Sequence, residues 1–459
     1  MIDKIAAGIL MLSLIVTLTY MRRRIGGRMS LSLLLFASLF IIHGIPMIVY
    51  LYETGPDTLI YEAALANVPS RQMMLAKVMF AVSFTFFGLM AGSELGLLIA
   101  ARWKRIAARS FTSQPVGEYA RVIRIRPIQY IVLWTLVLVI LAVSLDQSQP
   151  SHIIEFFRFD GADIEKTLLR SEEGGTPYYI YNVLLYSIAP FLVMISWAND
   201  IRRSSALRPG LLTLSLFAVV LLGKFGTLSK SPPVIFLLQL LLMKVLIRSD
   251  RLTFRMFLQL IIAGLVLFVI IVHLTFPELD LSALLHFLYY RVFDIPNEAL
   301  LEYFSAIPAS IPHTWGHDVL ARLGLVSLGG SIETYFAVAE ITRGSILSSS
   351  NAMFIGDAWA QFAWAGVIAM SLFAGFLVRL IDLRAQAYGR SDLAACITAG
   401  GAFGVFTSLS TSFTTALVTG GLAVIPFLAA SFVDRSCVRQ AVALYGTPAI
   451  EGLPEPKTS

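Results

Sequence analysis

Residues 5–24 read IAAGILMLSLIVTLTYMRRR, an apolar run from Ile5 to Tyr20 closed by Arg22, Arg23 and Arg24. A run of this kind suits a hydrocarbon core about 30 Å thick, which a helix of about 20 apolar residues crosses. The arginines follow the run, whereas a cleavable leader carries its charge before the apolar stretch. The segment therefore reads as a first transmembrane span, 3–20, and Arg22 to Arg24 as its orientation signal.

The same unit recurs along the chain. Further spans are expected at 30–52, 72–101, 128–146, 177–198, 211–228, 233–247, 256–275, 357–379, 393–412 and 413–432, about eleven in all. The sixth, seventh, tenth and eleventh are short and tied by tight links, as re-entrant segments also are. Composition agrees with this reading: 57% of residues are hydrophobic and only 14% are charged, against about 25% in an ordinary soluble chain. The formal net charge of +6 sits in clusters between apolar runs, which is topology and not a nucleic-acid stripe. Cys396 and Cys437 form no disulfide framework and no zinc or redox spacing.

Alternate connections separate the charge. One set holds Arg22 to Arg24, Arg28, Arg102, Lys104, Arg105, Arg109, Arg121, Arg124, Arg126, Arg202, Arg203, Arg208, Arg248, Arg251, Arg255, Arg384, Arg390, Arg435 and Arg439. The other is longer yet holds only Arg71, Arg158, Lys166, Arg170, Lys224, Lys230, Arg291, Arg322 and Arg343. The first set is placed in the cytoplasm, with the tail 433–459, and the N-terminus outside. Residues 1–459 form a single transmembrane domain with two long external loops, 147–176 and 276–356. In the second, Leu281 to Tyr290 and Asn297 to Phe304, separated by Pro296, read as short helices lying along the outer interface with the apolar face down.

Candidate chemistry gathers on that side. His152, His273, His286, His313 and His317 fall on or near it, His43 lies in the nearer half of the second span, and the cytoplasmic connections hold no histidine. His313 and His317 stand four apart around Pro-Trp-Gly-type sequence, which is no metal spacing, and no metal or cofactor is assigned. The stretch Lys224-Phe225-Gly226-Thr227-Leu228-Ser229-Lys230-Ser231-Pro232-Pro233 reads either as a polar hairpin with a snorkelling lysine or as a cationic cavity lining suited to an anion. Arg291 in Tyr-Tyr-Arg-Val-Phe-Asp and Arg158 in Phe-Phe-Arg-Phe-Asp are framed by aromatics. They are belt anchors paired with the nearby Asp, or a clamp for a diphosphate; Arg170 is a further cation for that role. The external carboxylates that could act as a base are Asp160, Asp163, Glu165, Glu278, Asp280, Asp294, Glu298, Glu302, Asp318, Glu333 and Asp357. Asp357 opens the ninth span, where a helix dipole also favours an acid.

The layout resembles the Wzy-type O-antigen and oligosaccharide repeat-unit polymerases over most of the chain. The resemblance rests on the span count, the two external loops, the break at Lys224–Pro233, and the run from Phe354 to Ile368 with Gly366 and Gly375. Ala363 stands where the family usually has a first glycine, a small change for helix packing, and Lys230 stands where many members have Arg. The resemblance implies a GT-C-like, all-α polytopic protein of the bacterial inner membrane. Its expected activity is metal-independent transfer of a growing undecaprenyl-diphosphate-linked glycan onto a lipid-linked repeat unit. It implies no nucleotide sugar, membrane lipids and a chain-length regulator as partners, and no nucleic acid. Arg158, Arg170, Lys230 and Arg291 would hold the leaving diphosphate, and His317, His313 or Asp357 would be the base. An O-antigen ligase shares these parts. A lipid-linked oligosaccharide transporter would be expected to carry charged or broken helices near mid-membrane, and charges within the expected spans are few.

Overall fold

The computed structural model describes residues 2–26, 29–52, 70–102, 123–147, 176–204, 209–226, 231–248, 280–317, 334–344, 350–388 and 391–433, with scattered positions between 259 and 273. Arg158, Arg170, Lys230 and most of the 147–176 loop and 433–459 tail lie outside the described residues.

The described chain is almost entirely helical, and six of its helices are long and apolar enough to cross a membrane. Helix α1 (Ile2–Tyr20) runs into a turn of π-helix at Met21–Ile25. The second span joins α2 (Leu31–Leu39) to α3 (Ile45–Tyr52) through a π-turn at Phe40–Gly44. Then come α4 (Arg71–Arg102), α5 (Pro127–Gln147), and α6 (Thr176–Val183) joined by a π-turn at Leu184–Ile188 to α7 (Ala189–Ser204). Shorter apolar helices α8 (Leu211–Gly226) and α9 (Ser231–Arg248) follow. The loop segment builds α10 (Leu281–Tyr289), a π-turn at Tyr290–Asp294, α11 (Ile295–Ala306) and α12 (Thr334–Arg343). The chain closes with α13 (Phe354–Gln386), α14 (Asp392–Ser408), α15 (Phe413–Val418) and α16 (Val424–Ser431).

Large apolar side chains cover the outside of this bundle. On α5, Ile128, Ile131, Val132 and Leu138 are exposed, and on α1 so are Met11, Leu12 and Ile15. An exposed apolar surface of this extent is a face for lipid.

The centre is the pair α4 and α13. Gly88, Gly92 and Gly96, four apart, lie on one stripe of α4. A Cβ at Gly92 would stand 1.9 Å from the Leu372 carbonyl oxygen, and one at Gly375 would stand 2.2 Å from the Leu89 carbonyl oxygen. Small residues let the two backbones touch, which is how helices associate where lipid removes the hydrophobic drive. Gly88 meets Ser371, Gly92 meets Leu372 and Phe376, and Gly96 meets Phe376 and Arg379. The two helices therefore run in the same direction, as the segments expected to be the third and ninth spans should.

Hydrogen bonds tie the arginine-rich end together. The Asp382 carboxylate accepts from the backbone N–H groups of Leu31 (2.7 Å) and Ser32 (2.9 Å), satisfying orphan donors at the start of α2. Asp392 accepts from Ile123 N–H and Asn199 from Ile125 N–H. Arg124 N–H donates to the Phe432 carbonyl, and Arg24 pairs with Glu94 at 3.6 Å. Every partner belongs to a connection or helix end assigned to the same side.

Three expectations change. Helix α11 does not lie on a surface with one polar face to water: ten of its twelve residues, Asn297 to Ala306, are buried, and it packs among α4, α12, α13 and the Phe40–Gly44 turn. Its polar groups find partners inside the bundle, so an amphipathic pattern that looks interfacial serves an interior helix. The segment 413–432 is two short helices, interrupted where Gly421 takes φ +82°. Helix α13 starts earlier than the ninth span was expected to, and its backbone leaves helical form at Phe362 (φ −141°, ψ 24°) and Ala363 (φ 52°, ψ −142°). The stretch from Trp364 to Gln386 is by itself about 35 Å of helix, enough to span. Phe354–Gln361 therefore sits beyond the break, at the end of the bundle opposite the arginines.

Candidate functional site

At that opposite end, buried acids are satisfied by side chains from distant segments. Glu302 on α11 is fully buried. Arg343 of α12 grips it with two bonds, Nε to Oε1 at 2.8 Å and Nη2 to Oε2 at 2.9 Å, and the Ser350 hydroxyl donates to the same Oε2. Burial alone would lower the Arg343 pKa, but the bond and charge of Glu302 outweigh it and hold the guanidinium above its ordinary value. One turn toward the N-terminus of α11, Glu298 is buried as well. Tyr290 stands in the field of both elements. Burial pushes its phenol up, reinforced by Glu298 and Asp294 and opposed by Arg343 and Arg291.

The start of α11 is pinned from the second span. Asn297 donates through Nδ2 to the carbonyls of Ile42 (2.7 Å) and Phe293 (2.6 Å), so its Oδ1 faces His43 Nδ1 at 2.8 Å. An amide oxygen only accepts, which puts the His43 proton on Nδ1. Asp294 accepts from the Tyr50 hydroxyl at 2.5 Å, and Arg71 donates to the Tyr50 carbonyl at 2.9 Å. The Asp294–Tyr50 contact joins one π-turn to the span carrying another. Such turns widen a helix locally and recur at functional sites.

After α11 the chain turns back over α13. His313 Nδ1 faces the Trp359 carbonyl at 3.0 Å, and Trp359 Nε1 donates to the Ile307 carbonyl at 3.0 Å. Trp359 stacks on Phe304 at 4.6 Å between centroids. Thr314 donates its hydroxyl to Gln361 Oε1 at 2.8 Å. His317 is exposed, closing the turn through its N–H to the Thr314 carbonyl. Asp357 is buried in the first two turns of α13, on the same short segment that carries Trp359 and Gln361. The structure thus brings His313, His317 and the Asp357 segment to one corner of the bundle.

Arg291 is exposed on the Tyr290–Asp294 turn, with its guanidinium 5.1 Å from the Phe287 ring centroid. The expected aromatic frame is present, but Asp294 is engaged by Tyr50. Lys224 differs from both sequence readings. It neither snorkels nor lines an open anion cavity: it is buried, with Nζ 4.5 Å from the Tyr186 ring centroid and 5.7 and 5.8 Å from those of Phe236 and Phe403. Apolar flanks and three rings allow a lysine to be enclosed by cation–π contact. Among the described residues, no group of three or more His, Cys, Asp or Glu is arranged around a metal position.

The Glu302–Arg343–Ser350 and His43–Asn297 contacts were not foreseen. Their partners are far apart in sequence, and no short motif announces them. The glycine stripe on α4, by contrast, was there to be read as small residues every fourth position.

No protein-family model matches the chain, and no curated protein or solved structure matches it.

Proposed function

We propose that the chain is a bacterial inner-membrane polysaccharide polymerase with about eleven spans and a GT-C-like arrangement, acting on undecaprenyl-diphosphate-linked glycans at the external face. The observation that carries this reading is the difference between the two ends of the bundle. His313, Arg291, the Glu302–Arg343 pair and the exposed rings of Trp315 and Phe362 all gather opposite the arginine-rich connections. A reaction between two lipid-linked sugars requires such an end: cations for the diphosphate, a base for the hydroxyl, and lipid-facing walls.

In the proposed step the acceptor hydroxyl oxygen bonds to the anomeric carbon of the donor glycan. The bond from that carbon to the diphosphate oxygen breaks, and the electron pair leaves with undecaprenyl diphosphate. The hydroxyl proton passes to a base, for which His313 is best presented. Its Nδ1 is committed to a carbonyl, which leaves Nε2 as the acceptor of the neutral ring. Arg291 and, from the segments not described, Arg158, Arg170 and Lys230 would take up the leaving charge.

A lipid-linked oligosaccharide transporter is the second reading. It is favoured by the enclosed Lys224 and by the π-turns in the second and fifth spans. Deleting the gene separates the readings. A polymerase loss leaves at most one repeat unit on the final acceptor. A ligase loss leaves none and accumulates lipid-linked polymer. A transporter loss accumulates single units on the cytoplasmic leaflet. The span count is tested by single cysteines, with Pro115, Ser205 and Ala387 positions labelled from the cytoplasm and Leu65, Glu165 and Ser310 positions from outside.

A further inference from the structure

We infer that Trp315 and Phe362 form a saccharide-binding shelf, on which the acceptor sugar lies flat with a hydroxyl directed at His313 Nε2. The identity of the ligand as a sugar of the lipid-linked repeat unit rests on the polymerase reading.

The shelf is built by backbone that L-residues rarely adopt. Trp315 takes φ +49° and Gly316 φ +87°, and across from them Ala363 takes φ +52°. A bulky residue in the left-handed region is uncommon and persists only where the surroundings impose it. The outcome is display. The Trp315 side chain is 68% exposed and Phe362 is 42% exposed, with ring centroids 6.5 Å apart and planes at 68°. Gly316 is buried beneath them, where a Cβ would fall 2.9 Å from the Phe362 ring, so the turn cannot move away from the ring without opening the corner.

Polar groups flank the rings. His313 lies 5.7 Å from Trp315, edge to face, and its ring is fixed by the Trp359 carbonyl so that Nε2 accepts. Gln361, next to Phe362, spends its oxygen on Thr314. Its Nε2 is buried with no hydrogen-bond partner among the described residues, a donor whose desolvation a ligand hydroxyl would offset. An aromatic face beside one fixed acceptor and one spare donor matches a pyranose, which offers a face of C–H groups and a rim of hydroxyls. An acyl chain would use the rings and leave the polar groups unmet. The position also fits, because the break at Phe362–Ala363 marks the end of the spanning part of α13, where a sugar attached to a membrane-held diphosphate emerges.

The probe is the saccharide that mild acid releases from the producing cell's lipid-linked repeat units, titrated calorimetrically into the full protein in lipid nanodiscs. The wild type binds it. Trp315→Ala and Phe362→Leu each weaken binding about tenfold, at an unchanged thermal midpoint for the exposed Trp315, whereas Trp315→Tyr retains most of it. The shelf is overturned if the wild type does not bind, or if both variants bind as the wild type does. It is equally overturned if brominated lipids quench the fluorescence that distinguishes wild type from Trp315→Phe, which makes Trp315 a lipid anchor. Elongation assays on the same preparations keep the two ideas apart. Elongation by Trp315→Ala at wild-type KM removes the shelf and leaves the polymerase. Trp315-dependent binding by a wild type that elongates nothing removes the polymerase and leaves a saccharide site.

Discussion

The two ends of the bundle bury the same kind of residue for different purposes. At the arginine-rich end, Asp382 and Asp392 accept from backbone N–H groups at helix and strand-like ends. A carboxylate satisfied by main chain is a cap, and it fixes where one helix meets another. At the opposite end, Glu302 and Asp294 are satisfied by side chains: Arg343 and Ser350 from segments between spans, and Tyr50 from the end of the second span. These partners are carried on separate helices and a loop, so the same charge holds together the corner of the proposed site. Burial and charge alone do not separate the two sets of acids; the kind of partner does.

That contrast can be broken most severely at Glu302. Glu302→Ala leaves Arg343 largely buried without its partner, which costs about 3–5 kcal/mol. Unfolding of the protein in detergent should show a large drop in midpoint, and Glu302→Gln a smaller one. A drop no larger than that of a surface variant would mean that the pair does not hold the corner.

The central packing ranks next. Gly92→Val places a side chain where the Leu372 carbonyl already lies, and overpacking of this kind costs about 1–3 kcal/mol. Crosslinking between cysteines placed on α4 and α13 should fall with it. At the arginine-rich end, Asp382→Ala removes a two-donor cap for about 0.5–2 kcal/mol. Activity per folded molecule should stay at the wild-type level, which is the sharpest form of the contrast between the ends.

The smallest effect is a gain. Ala363 holds φ 52°, ψ −142°, a conformation only glycine adopts freely, so Ala363→Gly should stabilise by about 1 kcal/mol. The resemblance made this Ala a minor packing change. The backbone shows instead that this position is a turn out of helical form, and that this chain bears strain to keep Ala there.

Six long apolar helices were readable because lipid imposes a length and an apolar composition on spans, and the arginine clusters set the direction expected of them. The parallel run of α4 and α13 agrees with that reading. What escaped was set by tertiary partners. Asn297, Glu298 and Glu302 look like the water-facing side of an interfacial helix until Arg343, Ser350 and His43 are seen around them. Lys224 looked like an interfacial cation because its three rings come from α8's neighbours in space, from the Leu184–Ile188 turn, α9 and α14. Of the candidate site, His313, His317, Asp357 and Arg291 were nameable as residue types on the side expected to be external. The choice of His313 among the bases needed the Trp359 carbonyl, which no pattern in the sequence points to.

The most direct test of the proposed activity is elongation by the purified protein in nanodiscs, supplied with undecaprenyl-diphosphate repeat units and a chelator. The predicted result is a ladder of products spaced by one repeat unit for wild type and Asp382→Ala, reduced about a hundredfold or more in His313→Ala. Folded wild-type protein that yields no product longer than the supplied unit would contradict the account.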